Sequence, residues 1–112
     1  MSRLLGETHE YWIGEAYVNS DGTYDNVSSS MYSVTKVSTG VYKCILDNSQ
    51  DEGDVFTEVV PMAPSGGSDE IIMLTPRFLT ESGRPGVYVK FIRQVLGTAI
   101  DCRFRVTFYA KD

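Results

Sequence analysis

Eight consecutive residues near the C-terminus constrain the fold more than any other stretch. Cys102, Phe104, Val106 and Phe108 occupy one parity, and Arg103, Arg105, Thr107 and Tyr109 occupy the other. A period of two held this long belongs to a strand with one buried and one wet face. Wound as a helix, the same residues would scatter their apolar groups around the circumference. A strand of this kind needs paired neighbours and a second layer over its apolar face.

The stretch Val34–Leu46 supplies a hairpin. With Ser38-Thr39-Gly40 as a three-residue loop and Gly40 in the left-handed conformation, Val34 falls opposite Cys44 and Tyr32 opposite Leu46. The apolar faces of both arms then coincide, the condition that fixes register. A second bend is expected at Ser20-Asp21-Gly22, where Asp-Gly favours a turn. Further extended runs are Trp12–Val18, Val55–Val60, Glu70–Leu74 and Val87–Ile92, with Pro61, Pro64, Pro76 and Pro85 at or beyond their ends. The stretches 65–68 and 81–86 have loop composition. Short strands with turns every 8–14 residues predict one all-β domain of about seven strands. That pattern suits a sandwich or a barrel, and we expect an antiparallel β-sandwich of jelly-roll or immunoglobulin-like type, residues 13–112, preceded by an N-terminal arm, residues 1–12.

Composition narrows the function. The chain has 112 residues and a formal net charge of −5, which repels a phosphate backbone, and no Lys/Arg run is interleaved with aromatics. Arg103 and Arg105 share one strand face and read as a solvated surface. The N-terminus lacks the apolar stretch of a secretory signal, and Ile71–Leu74 is far too short to span a membrane. We therefore expect a chain made in the cytoplasm, with neither nucleic acid nor membrane insertion in its function. Cys44 and Cys102 fall on the apolar faces of predicted strands. They read either as free buried thiols or as a disulfide, and the missing export signal favours the thiols.

No reactive constellation emerges. The lone His9 has no G-x-S-x-G serine to activate, and three Cys/His residues cannot build a four-ligand zinc site. The acidic run 47–54 fails the EF-hand pattern, because Val59 would occupy the position of the bidentate carboxylate. Its Asp51, Glu52 and Asp54 read as an exposed connection. We expect no cofactor, no metal and no catalytic residue, and hence a binding protein and not an enzyme.

The order of motifs resembles a known class. Val18-Asn19-Ser20-Asp21-Gly22-Thr23 is followed by S-V-T-K-x-x-T-G-V-Y-x-x-x-L at 33–46, by a valine-rich strand ending at Pro61, and by G-T-A-I-D-C-R-F-R-V-T-F-Y-A at 97–110. This is similar to the small β-sandwich modules of bacteriophage tail fibres, spikes and other virion appendage or decoration proteins. The stretch Met62–Gly86, with Arg77-Phe78-Leu79, departs from that pattern. The resemblance implies a virion structural protein located in the virion. It would act as a homotrimer that binds other virion proteins or a host-surface receptor such as a glycan. Since the chain opens on Met1, a free-standing product clipped onto a capsid or tail is expected.

Two groups of residues are candidates for contact. Leu4, Leu5, Tyr11 and Trp12 form an apolar-aromatic arm suited to assembly, although Trp12 could equally plug one end of the sandwich. Tyr24, Asp25 and Asn26 place an aromatic, a carboxylate and an amide in one predicted loop, a combination suited to a sugar. They are the receptor-facing candidate and the basis of the alternative reading, a stand-alone carbohydrate-binding module.

Overall fold

The computed structural model describes residues 10–26, 31–47, 55–64 and 71–111. Among these the chain is all strand and turn. The strands are β1 (Glu10–Val18), β2 (Tyr24–Asn26), β3 (Met31–Ser38), β4 (Val41–Leu46), β5 (Val55–Pro64), β6 (Ile71–Met73), β7 (Arg77–Glu81), β8 (Arg84–Arg93) and β9 (Cys102–Lys111). They form two antiparallel sheets. Sheet A has the order β2-β1-β9-β5; sheet B has the order β3-β4-β8-β6, with β7 on the same side of β8 as β6.

The inward parity of β9 is borne out, with Cys102, Phe104, Val106, Phe108 and Ala110 buried, but on the face expected to be wet Thr107 is buried as well. They share one core with Ala16 and Val18 of β1, Val55 and Val59 of β5, Tyr42, Cys44 and Leu46 of β4, and Val87, Val89 and Phe91 of β8. This shared core makes the two sheets the layers of a β-sandwich. Each large side chain taken fully out of water contributes about 1.5–3 kcal/mol. Cys44 and Cys102 are both buried and free, and burial pushes the Cys44 thiol up to about 12.

The β3–β4 hairpin keeps part of its expected register. Gly40 has φ 72° and Val34 pairs with Cys44. The turn itself is Thr39-Gly40, however, with Ser38 paired to Val41 and a bulge at Val37. A second bulge at Tyr32 puts Met31, not Tyr32, opposite Leu46 and leaves Tyr32 half exposed. Methionine fills the core position, and the phenol stays wet.

Among the described residues the strands number nine against about seven expected; the two beyond expectation are β2 and β7, and two expected strands run past the prolines that should bound them. Pro61 lies inside β5, which continues through a bulge to Pro64. As an edge strand, β5 tolerates a residue that cannot donate to a ladder. Pro85 lies inside β8, where β4 pairing reaches only to Gly86, so just one side of the strand is laddered at the proline. The stretch 81–86 is therefore not a loop. Ser82 (φ 53°) and Gly83 (φ 77°) make a two-residue turn, and Glu81 already pairs with Arg84. Strand β1 begins at Glu10, paired with Lys111, so Tyr11 and Trp12, expected in the arm, lie in a strand.

One end of the sandwich is held by a polar clamp built on three turns. Asp101, just before β9, accepts hydrogen bonds from Gly40 N (2.8 Å) and Lys36 Nζ (2.6 Å). Tyr42 Oη donates to Ser20 O in the β1–β2 turn (2.7 Å) and accepts from Cys102 N (3.2 Å). Its ring meets Phe104 edge-on at 5.1 Å and Phe91 at 6.1 Å, so one side chain bridges both sheets. A Cβ on Gly40 would lie 2.7 Å from Phe91 O and 2.8 Å from Ile100 O, which explains why only glycine fits there.

The clamp makes stability depend on acid. Partial burial pulls the Asp101 pKa upward, but the bonds from Lys36 and Gly40 and the Lys36 charge outweigh it and hold the carboxyl below its ordinary range. The native state therefore favours the ionised form. Its contribution is complete above about pH 4, the unfolded value, and is lost as acidification passes through the lower folded value. Asp101→Asn is expected to cost about 1 kcal/mol at neutral pH. In urea unfolding, the gap between this variant and the unaltered chain should close as the pH falls to about 2. Tyr42→Phe should cost about 1–3 kcal/mol with no such closure.

Candidate assembly surface

The outer face of sheet A is the candidate site, and strand parity determines what it carries. The inward parity of β9 is apolar, so Arg103, Arg105, Thr107 and Tyr109 point away from the core. Register then aligns cross-strand rows. In the first row Trp12 of β1 lies opposite Tyr109, and Tyr109 lies opposite Phe56 of β5. Tyr109 and Phe56 are stacked, with centroids 5.4 Å apart and planes 19° from parallel. Trp12 is 45% exposed.

The next row holds Glu15, Thr107 and Glu58, and the one after holds Tyr17, Arg105 and Val60. Arg105 sits between the two glutamates, with a nitrogen 3.2 Å from Glu58 Oε1 and Nε 3.8 Å from Glu15 Oε2. Thr107 Oγ1 donates to the same Glu15 oxygen at 2.8 Å. The ion-pair group is flanked by exposed apolar surface, with Tyr17 and Val60 on one side and Trp12 on the other. Each carboxylate is committed to a cation or a hydroxyl, an arrangement that fixes side-chain positions.

Part of the outer face of sheet B, around β4 and the start of β8, is covered by its own side chains. Ile45 is fully buried above Gly86, where a Cβ would meet Ile45 Cδ1 at 2.5 Å. Arg84 reaches across this spot, with Cζ 4.0 Å from the Tyr32 ring centroid and Nε 3.2 Å from Asp47 Oδ1. Lys43 pairs with Glu81 at 2.9 Å, and that carboxylate raises its pKa.

The structure separates the expected site residues. Trp12 belongs to the open face of sheet A and does not plug an end of the sandwich. Tyr11 lies in the same strand, opposite Ala110, while Leu4, Leu5 and His9 fall outside the described residues, as do Asp51, Glu52 and Asp54. Tyr24, Asp25 and Asn26 are not a loop. They are strand β2, paired with Val18, Tyr17 and Ala16, and the Tyr24 ring packs against the core. The ring is partly buried there. The turn before it is held by Thr23 N and Oγ1 donating to Asp21 at 2.9 and 2.6 Å. Those two bonds hold the Asp21 carboxyl below its ordinary range. Among the described residues no three His, Cys, Asp or Glu side chains gather to hold a metal, and no helix is long and apolar enough to cross a membrane.

One surface feature was missed in the sequence. The β8–β9 crossover turns at Gly97 (φ 67°), whose N donates to Arg93 O, while Arg93 N donates to Thr98 O. At its tip Val95 and Leu96 are 90% and 71% exposed. The available signal was an apolar pair directly before a glycine in a turn, where burial has no means of reaching it. Replacing both with serine should change the unfolding free energy by less than about 0.5 kcal/mol in denaturant titration, because neither side chain packs on the core.

Compared with models of known protein families, with curated proteins and with solved structures, the chain matches none.

Proposed function

We propose that the chain is a bacteriophage virion structural protein of the tail-fibre, spike or capsid-decorating kind, built on a jelly-roll or immunoglobulin-like sandwich. It acts by homotrimeric assembly and by binding other virion proteins or a host-surface receptor, and it performs no catalysis. The observation that carries the assembly reading is the outer face of sheet A, where half-exposed Trp12 lies opposite Tyr109 in the ladder and Tyr109 stacks on Phe56. Aromatic side chains around a fixed ion-pair group are the makings of an interface centre. The virion setting is supported by the motif order of residues 18–46 and 97–110.

The sheet edges favour assembly through faces. Strand β5 carries Pro61 and Pro64, β2 has three residues, and β3 is bulged at Tyr32 and Val37. These devices blunt edge-to-edge pairing. An open face with intact aromatic rows is the surface left for a partner.

Light scattering on the purified chain should give three times the chain mass at micromolar concentration, and Trp12→Ala should give one, with an unchanged circular dichroism spectrum. A single-chain mass at every concentration would overturn the assembly reading. Labelled-antibody imaging of virions carrying the chain then tests its location.

A further inference from the structure

On sheet B, β6 and β7 both pair with β8 but do not join smoothly. Met73 pairs with Phe91 and Arg77 with Tyr88, so Leu74, Thr75 and Pro76 span the space of only Val89 and Lys90. Leu74 N still donates to Lys90 O at 2.9 Å. Pro76 has no N–H to give. The surplus residue bows the edge away from β8 and opens a groove of about 400 Å³ lined by Val41, Leu74, Thr75, Arg77, Tyr88 and Lys90. That is within the range of small-ligand sites, roughly 300–1,000 Å³, and bulges recur beside such sites.

The charges in the groove set it apart. Elsewhere on sheet B, Lys36, Lys43 and Arg84 each have a carboxylate within 3.2 Å. Arg77 and Lys90 are exposed and have no carboxylate within 4 Å among the described residues. In a chain of net charge −5, two unpaired cations around one aromatic ring stand out. The guanidinium offers a planar fork to a carboxylate and the ammonium a point charge. Tyr88 is 37% exposed and lies opposite Arg77 in the ladder, with apolar Val41 and Leu74 at the rims.

We infer that this groove is a binding site for a carboxylate-bearing sugar, a hexuronic-acid residue or its like. Arg77 and Lys90 hold the carboxylate, the pyranose lies along Tyr88, and the Thr75 hydroxyl meets a ring hydroxyl. A bare phosphate would leave the apolar rims unused. A nucleic acid would need far more than two cations. The inference stands on the groove alone and does not depend on the assembly reading, since the aromatic rows of sheet A lie on the other layer.

The test is titration of the full chain with a hexuronic-acid disaccharide, followed by amide and Tyr ring resonances, with the neutral disaccharide of the same size, sodium acetate and a tetraglutamate peptide in parallel. The acidic disaccharide should give saturable shifts centred on Tyr88, Thr75 and Lys90, weakening as salt is raised. Arg77→Ala and Lys90→Ala should each weaken binding about tenfold or more, as expected for a lost charge-assisted hydrogen bond. Both residues are exposed, so the variants should stay folded, and the amide spectrum reports this directly. Equal response to the neutral sugar, to acetate or to the peptide would overturn the inference. So would unchanged affinity in the Arg77→Ala variant, or no saturable response at all.

Discussion

The Tyr42 side chain is the constraint on which the rest of the molecule rests. It starts on β4 of sheet B, and its ring meets Phe91 of its own sheet and Phe104 of the other. Its hydroxyl ends on Ser20 O and Cys102 N. A sandwich core made only of aliphatic contacts has little resistance to sliding of one sheet over the other, because such contacts are non-directional. A buried phenol with two fixed partners supplies direction. Its desolvated hydroxyl, pushed up to about 12 by burial, is worth most when both bonds are made. Asp101 repeats the device alongside, tying Gly40 and Lys36 to the start of β9.

This clamp accounts for the motifs that dominate the sequence. Lys36, Gly40 and Tyr42 of the V-T-K-x-x-T-G-V-Y hairpin, the Asn19–Thr23 turn and Asp101 before Cys102 all converge on one end of the sandwich. Gly22 belongs to it as well, since a Cβ there would lie 2.9 Å from Lys36 Cβ. Residues that look most deliberate in the sequence are therefore structural. What the protein touches is carried elsewhere, on strand faces whose residues form no motif.

The same division explains what was legible beforehand. Parity is local, so β9 and the Val34–Cys44 register could be read directly from alternation and one glycine. Bulges are not local. Whether Met31 or Tyr32 enters the core depends on which side chain the opposite sheet can accommodate. In sequence a proline reads as a strand terminator, yet Pro61 and Pro85 sit in strands because one ladder side is vacant at each, a fact of sheet order. Tyr24 shows the reverse error: aromatic, carboxylate and amide together look like a binding loop until pairing with β1 turns the ring inward. The outer rows of sheet A needed the register of three strands at once. Trp12, Tyr109 and Phe56 are far apart in sequence and meet only through β9.

The clamp also sets where change can be tolerated. It immobilises the end that carries the β1–β2 and β3–β4 turns and the start of β9, and the buried core extends from there between the sheets. Departures from regular pairing, such as the surplus residue between β6 and β7, lie on an edge where one side of the ladder is open. An edge can bow without breaking a central ladder, so a groove there costs little stability. The outer face of sheet A carries large side chains in cross-strand rows without disturbing the core beneath. The two outer surfaces thus follow from the same rule. The bonds that join the turns gather at Tyr42 and Asp101, and neither outer surface contributes a side chain to Tyr42's bonds.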